Sequence, residues 1–348
     1  MGFATVTRRS ALVAAAVTLG LAALGGPSGA HAQDTTKLSV GISVKSIFGL
    51  PIVVARDKGF FKEEGLEVTI EYFAGGPPAT AALMGGSLQF LNAAFENNVK
   101  TAKLGQPIVT IMNIQSNYAG AIIMRKDVAE KLGHKPEVAD LKGMRIGTLA
   151  RGGFTDVSTR YILNAAGLDP DKDAELIPIR GADRQIAAGQ AGQIEAAMVT
   201  EPWGPIAVEG MDAWRYVVNT TVGEGPELFQ DMGYVTLQTT KDYIAQNRAV
   251  AEKVVRAVVK AQNYIADPAN VDDLTAIAKK EYGDVGGDAM RISVERQAKT
   301  YVPFMKESMV KKTMDLLVPN GLIQEPAPAY AEVVDQSFAP LWQAYGAK

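Results

Sequence analysis

Cysteine is absent from the 348 residues of the chain, and histidine occurs only twice. The lack of thiols excludes cysteine nucleophiles, thiolate metal sites and disulfide bonds. His31 precedes a predicted cleavage point, and His134 lies in a polar, proline-containing stretch that is typical of a loop. A single loop histidine is more often a surface residue than a catalytic base, and it cannot form a multi-histidine metal site. We therefore expect no metal, no cofactor and no catalytic residue.

Long hydrophobic runs are also missing. The longest apolar or small stretch, residues 11–24, is shorter than the roughly 20 residues that a membrane-spanning helix needs. It follows Arg8 and Arg9 and leads to Ala-His-Ala at residues 30–32, which places small residues where a signal peptidase acts. We expect residues 1–32 to be a signal peptide that is cleaved near Ala32. The paired arginines leave open whether export follows the general or the twin-arginine route.

Neither sign of charge dominates the remaining 316 residues. The two arginines in residues 1–32 leave 33 basic residues against 38 acidic ones. Basic residues cluster only in pairs such as Lys279-Lys280, so the basic footprint of a nucleic-acid-binding protein is missing. Because no cysteine can carry a lipid anchor, we expect the protein to be free in the periplasm. We also expect it to be monomeric and to bind no nucleic acid.

Short strand patterns alternate with helical patterns over residues 37–239, and the chain is mainly helical after that. Repeated βα units predict an α/β protein with open, mostly parallel sheets and helices on both faces. Two groups of such units joined by crossing segments predict two lobes with a hinge. Lobe 1 is predicted to comprise residues 33–120 and 237–348, and lobe 2 residues 121–236. The predicted strands are 37–43, 67–73, 88–93, 108–114, 120–124, 144–150, 175–180, 194–200, 214–219 and 233–239, and the predicted helices are 51–58, 78–84, 96–104, 155–166, 182–190, 248–266, 271–282, 289–301 and 331–344.

Three segments carry a family resemblance. They are residues 55–68 (ARDKGFFKEEGLEV), residues 140–147 (DLKGMRIG) and residues 195–203 (EAAMVTEPW). Taken in this order, they resemble the nitrate/sulfonate/taurine-type substrate-binding proteins of ABC transporters, whose superfamily includes binders of thiamine precursors. The chain departs from the family at Gln89, where aspartate is usual. Gly59 fits a helix end that needs a positive φ angle, so the first segment concerns the fold and not the ligand.

The resemblance implies a periplasmic-binding-protein fold of type II-like topology, in which two α/β lobes close around a ligand through a hinge. It also implies the solute-binding component of an ABC importer, with a small-molecule ligand and a membrane permease as partners. Enzymes of the superfamily use a cysteine nucleophile or a histidine with a cysteine-rich motif. We therefore expect binding and not catalysis, while an additional role with a chemosensory receptor stays open.

Ligands of open α/β sheets bind beyond the carboxyl ends of the strands. Four stretches fall there: residues 43–49, 75–78, 92–97 and 151–156. Beyond them, Asn117 lies near the first crossing segment and is a candidate for either the hinge or the pocket. The candidate ligand-binding residues are Ser46, Phe48, Gly76, Phe95, Asn117, Arg151, Gly152, Gly153, Phe154, Thr155, Glu201 and Trp203.

Trp203 and Glu201 each have a structural alternative to ligand contact. Trp203 is as well suited to core packing as to stacking on a ligand. Glu201 is suited to bind an amine, or to begin a helix as a favourable acid in its first turn.

The turn at residues 151–156 (RGGFTD) is the main reason to expect an anionic ligand. A glycine-rich helix start presents backbone N–H groups to carboxylate, sulfonate or phosphate oxygens, and Arg151 can add a bidentate contact. Alternatively, the glycines only permit a tight turn and Thr155 caps the helix. Together with Arg180, the turn favours a small organic anion, an aliphatic or aromatic sulfonate or carboxylate. A neutral heteroaromatic such as a thiamine-precursor pyrimidine is the other possibility.

Overall fold

The computed structural model describes residues 35–106, 108–283 and 287–346. The predicted signal peptide therefore lies outside the described residues. Within these ranges, no helix combines the length and the apolar character needed to cross a membrane.

Two five-stranded sheets form the framework, and helices flank both of them. The strands are β1 (Thr36–Ile42), β2 (Leu66–Tyr72), β3 (Phe90–Ala94), β4 (Ile108–Gln115), β5 (Gly120–Arg125), β6 (Arg145–Thr148), β7 (Glu175–Pro178), β8 (Ala196–Thr200), β9 (Trp214–Asn219) and β10 (Val235–Thr240). The helices are α1 (Leu50–Asp57), α2 (Phe60–Glu63), α3 (Gly76–Met84), α4 (Phe95–Lys103), α5 (Lys126–Ala129), α6 (Phe154–Ala165), α7 (Ala182–Gln190), α8 (Trp203–Pro205), α9 (Lys241–Ala266), α10 (Val271–Tyr282), α11 (Ala289–Gln297), α12 (Glu307–Leu317), α13 (Tyr330–Val333) and α14 (Ala339–Trp342).

Both sheets have the same strand arrangement. Sheet 1 has the order β2-β1-β3-β10-β4, and sheet 2 has the order β7-β6-β8-β5-β9. In each sheet the first three strands are parallel, as the βα repeats predict. The fourth strand, β10 or β5, runs antiparallel to both of its neighbours. The sheets are therefore mixed, because each contains a strand that enters directly from a crossing segment instead of from a βα unit.

Hydrogen bonds tie together the two segments that connect the sheets. Asn117 donates from Nδ2 to Gln230 Oε1 over 2.8 Å and accepts at Oδ1 from the Asp231 amide over 2.9 Å. The carbonyl of Ser116 accepts from the Met232 amide over 2.7 Å. These contacts give Asn117 a position at the connection between the sheets. The residue-level boundaries of the two lobes stay a prediction.

Local sequence signals explain much of lobe 1. Gly59 has a φ angle of 81°, which confirms the positive φ expected where α1 ends. Phe61 is then buried in the large hydrophobic core. Gly76 starts α3 so close to α4 that a Cβ atom there would collide with the Asn97 side chain. The glycine at position 76 therefore serves the packing of two helices.

The carboxyl-terminal region departs most from the sequence-based prediction. The single helix predicted for residues 331–344 is wrong, since α13 and α14 are separated by an extended segment and a 3-10 turn. Val334 pairs with Thr110 at the edge of β4, and the Asp335 amide donates to the Thr110 carbonyl over 2.9 Å. Pairing with the sheet edge thus replaces helical hydrogen bonds. Helix α12 was not predicted, although Met309, Val310 and Leu317 give it a buried face.

Lobe 2 packs around Trp214, whose side chain is fully buried. Its indole ring lies against the backbone of Gly189 in α7, where an added Cβ atom would overlap with the outer ring atoms. Only glycine allows this close approach of α7 to the sheet.

We expect Gly189→Ala to destabilise the protein by about 1–3 kcal/mol, because overpacking a rigid core outweighs the better helix propensity of alanine. Urea denaturation measures the change. The Trp214→Phe background supplies the control, since phenylalanine lacks the ring atoms that meet the new methyl group. An equal cost in both backgrounds would show that the contact with Trp214 is not the cause.

Candidate functional site

The carboxyl ends of the parallel strands in the two sheets face each other across a cleft. The Ser46 hydroxyl, in the loop after β1, donates to the Glu201 carbonyl after β8 over 2.6 Å. The Lys100 ammonium in α4 donates to the Gly152 carbonyl before α6 over 3.1 Å. Both bonds join lobe 1 to lobe 2, so the candidate residues Ser46, Gly152 and Glu201 are brought to one interface. This is the edge at which ligands of open α/β sheets bind.

An aromatic cluster spans the cleft. Phe154 of lobe 2 lies 4.9 Å from Tyr234 and 4.8 Å from Tyr118, measured between ring centroids. Phe48 of lobe 1 contacts Tyr234 edge-on at 6.4 Å. All four side chains are buried. The predicted residues Phe48 and Phe154 thus share one apolar surface. Tyr234, which immediately precedes β10, contacts both of them.

Glu96 and Asn92, here taken together as a buried polar group, lie in consecutive elements of lobe 1, and the charge of Glu96 acts on Tyr234 of the aromatic cluster. Glu96 lies in the first turn of α4 and is only 5% exposed. Its Oε1 atom is 3.9 Å from Lys100 Nζ, and its Oε2 atom has no hydrogen-bond partner. Asn92 in β3 is fully buried, and neither polar atom of its side chain has a partner. Buried polar groups are normally paired, so this group has unused capacity to bind a ligand.

Burial raises the pKa of Glu96 to about 7, against the opposing effect of Lys100. Sequence reasoning singled out residues 92–97 and selected Phe95, whose side chain is buried in the same hydrophobic cluster as Phe48 and Phe154, so its contact with a ligand stays a prediction. Phe95 and Glu96 are the first two residues of α4, so their side chains leave the helix in different directions. An acid at the carboxyl end of a strand was the signal that could have indicated Glu96.

Two amides of the glycine-rich turn, those of Gly152 and Gly153, already have acceptors in or next to the turn. Gly152 has a φ angle of 69°, which favours glycine at this position. The Asp156 carboxylate lies in the first turn of α6 and accepts from the Gly152 amide. The internal hydrogen bonds run from Leu149 N to Thr155 Oγ1 (2.9 Å), from Gly152 N to Asp156 Oδ2 (3.0 Å) and from Gly153 N to Ala150 O (3.0 Å).

Arg151 and Arg180, the cations expected to assist an anion, are exposed. Lys100 is the cation whose bond to Gly152 O reaches across the cleft. The positive φ angle of Gly152 agrees with the tight turn of the structural alternative, but Thr155 does not cap α6, whose N-cap is Gly153 without a side-chain hydrogen bond. Contact of a ligand with residues 151–155 stays a prediction.

Glu201 lies between the lobes and is 3% exposed. Its Oε2 atom accepts a hydrogen bond from the Ser293 hydroxyl of α11 over 2.6 Å. Burial raises the pKa of the carboxyl group to about 7, although the bond from Ser293 and the charge of Arg296 act in the opposite direction. Trp203, two residues further on, is half-buried against the second core of lobe 2.

Similarity to known proteins extends over most of the chain. It is 24% identical over 313 residues to the putative binding protein YtlA of Bacillus subtilis, covering 88% of this chain and 90% of YtlA. It is 23% identical over 279 residues to the nitrate/nitrite binding protein NrtA of Synechococcus elongatus, covering 74% of this chain. The chain spans 61% of the length of that NrtA.

The fold is shared with solved structures. The alkanesulfonate-binding protein SsuA from Xanthomonas axonopodis pv. citri, bound to MOPS, superimposes with a TM-score of 0.68 at 19% identity. The alignment covers 86% of this chain and 98% of SsuA. This likeness confirms the predicted two-lobed binding-protein fold. The model of the NMT1-like family matches residues 31–279, so the chain belongs to the NMT1-like family.

Proposed function

We propose that this protein is the solute-binding component of an ABC importer. It would act in the periplasm as a monomer, capture a small organic molecule between its lobes and deliver it to a membrane permease. Membership of the NMT1-like family and the similarity to NrtA and SsuA support this role. The chain lacks cysteine, so the thiol chemistry of enzymes with this fold is not open to it.

The observation that carries the proposal is the unpaired polar group at the cleft. Glu96 Oε2 and both polar atoms of the Asn92 side chain are buried without partners, and the charge of Glu96 acts on Tyr234, which contacts aromatic rings of both lobes. A binding pocket combines apolar walls with a few aimed polar groups. We therefore place the ligand against Phe48, Phe154 and Tyr234, with its polar atoms directed at Glu96 and Asn92.

The chemistry of this group favours a planar, uncharged ligand that carries N–H donors. Glu96 offers a carboxylate oxygen, and Asn92 offers one acceptor and one donor. A nitrogen heteroaromatic can satisfy both and pack its ring on the aromatic side chains. An anion at the same place would have to approach a buried acid. Of the two classes that the sequence left open, the neutral heteroaromatic is the one that we propose.

A small organic anion is the second candidate. NrtA and SsuA are named for anions, and Lys100 supplies a cation at the cleft. In that case the oxygens of a sulfonate or carboxylate would bind near Lys100 and the turn that contains Arg151. The two candidates predict opposite effects when the charge of Glu96 is removed.

We expect native mass spectrometry of the purified protein, followed by a thermal-shift screen, to identify a binder among nitrogen heteroaromatics. Such a compound should raise the melting temperature as its concentration increases, since a ligand of the folded state stabilises it. Sulfonates, aromatic carboxylates and nitrate form the comparison set. A stronger shift with that set would support the anion. Conversion of a compound to a new mass would establish an enzyme and contradict the binding function.

We expect Glu96→Gln to weaken binding of the heteroaromatic by at least about tenfold at pH 8, because a hydrogen bond to a charged acceptor is lost. Isothermal titration calorimetry measures the change. Glu67→Gln is the matched control, since Glu67 is exposed and lies 3.7 Å from Lys37 on the surface. For an anionic ligand the same Glu96→Gln change should tighten binding, because a repelling charge is removed.

A further inference from the structure

Glu201 follows β8 of lobe 2 and is bonded through two separate groups to segments that the predicted boundaries assign to lobe 1. Its carbonyl oxygen accepts from Ser46 in the first loop, and its carboxylate accepts from Ser293 in α11. Both bonds are 2.6 Å long. The burial of this carboxyl group therefore depends on contact between the lobes.

Helix α11 makes further contacts across the same interface. Arg296 donates to Glu209 Oε1 over 2.6 Å and to the Tyr216 hydroxyl over 3.0 Å. Ser293 and Arg296 lie three residues apart, so both project from the same side of α11. This side of α11 is thus held against lobe 2 by a salt bridge next to the buried acid.

The groups that face Glu201 come from several elements. Ser293 and Arg296 lie on α11, Tyr216 lies in β9, Thr221 follows β9, Glu209 follows α8, and Tyr301 follows α11. Arg296 is the cation among them, and it is already paired with Glu209. Its charge is therefore largely balanced, and the carboxylate of Glu201 gains little compensation for leaving water.

We propose that closure of the cleft takes up a proton at Glu201, so that the closed form, on which the proposed binding function rests, is favoured at acidic pH. When the lobes separate, the carboxyl group meets water and ionises like an ordinary glutamate. When the lobes close, its protonated form loses far less hydration than its charged form.

The direction of the pH dependence follows from the two conformations. Burial raises the pKa of Glu201 to about 7 in the closed arrangement, from an ordinary value of 4.5. Protonation of Glu201 therefore stabilises the closed form fully below pH 4.5, and this stabilisation is lost as the pH rises through 7. We expect the ratio of closed to open molecules to fall by at least about tenfold between pH 5.5 and pH 8.5.

The absence of cysteine makes the experiment direct, because introduced cysteines can be labelled without background. Leu104→Cys in lobe 1 and Ala187→Cys in lobe 2 place donor and acceptor dyes on exposed positions. Energy transfer in the ligand-free protein then reports closure. We measure it from pH 5 to pH 9 in a Glu96→Gln background, so that the second buried acid cannot supply the response.

Glu201→Gln should keep the protein closed to the same extent at every pH, because the amide resembles the protonated acid. Ser293→Ala should move the transition to higher pH, since the lost hydrogen bond stabilised the carboxylate. His134→Gln is the control and should leave the transition unchanged, because its contacts are with Lys135 and Asp140 of its own lobe.

The proposal is overturned if the parent protein shows no pH response, or if Glu201→Gln keeps the parent's response. Failure of the proposed function is a separate outcome. If no small molecule binds but closure still responds to pH through Glu201, the proton linkage stands and the transport role does not. If a ligand binds to the Glu96→Gln variant with an affinity that is constant from pH 5.5 to 8.5, the linkage is wrong and the binding function stands.

Discussion

The double crossing of the chain between the two sheets is the constraint on which the rest of the structure depends. Strands β5 and β10 each lie one place from the edge of a sheet and run antiparallel to both neighbours. Each thereby anchors a crossing segment within a sheet, and Asn117 ties the two segments together. The carboxyl ends of the parallel strands in both sheets are consequently held facing each other, which creates the cleft.

The cleft collects groups that neither lobe could bury alone. Aromatic rings from both lobes remove apolar surface from water, which stabilises contact between them. Glu96 and Glu201 oppose that contact while they are charged, because buried carboxylates lose hydration. Closure of the cleft would then be sensitive to what pairs with the two acids, which are the proposed ligand at Glu96 and the proposed proton at Glu201.

Local hydrogen bonding decides which amides of the glycine-rich turn are open to an anion. The turn has the composition of an anion site, yet the Gly152 amide already donates to Asp156. A neighbouring acid in the first turn of a helix serves the same electrostatic purpose as a bound anion would. From sequence alone the two arrangements look alike, because both need glycine at position 152.

Regular local patterns were enough to predict most strands and helices, including α7, α10 and β9 with their exact bounds. They failed at the carboxyl terminus, where Val334 and Asp335 pair with the edge of β4 instead of continuing a helix. That pairing joins residues more than 200 positions apart, so no local pattern contains it. Helix α12 did carry a local signal in its buried methionine and leucine side chains, and it was overlooked.

The sequence by itself determined the α/β class, the two-lobed organisation, the family and the absence of thiol chemistry, because these depend on composition, short-range periodicity and short motifs. Only the tertiary structure decided which candidates meet. It brought Ser46 to Glu201 and Phe48 into one cluster with Phe154, and it buried the Glu96 carboxyl group where its charge acts on Tyr234 of that cluster. The reason is physical: burial and the pairing of polar groups are set by neighbours that are distant in the chain, and the sequence does not list those neighbours.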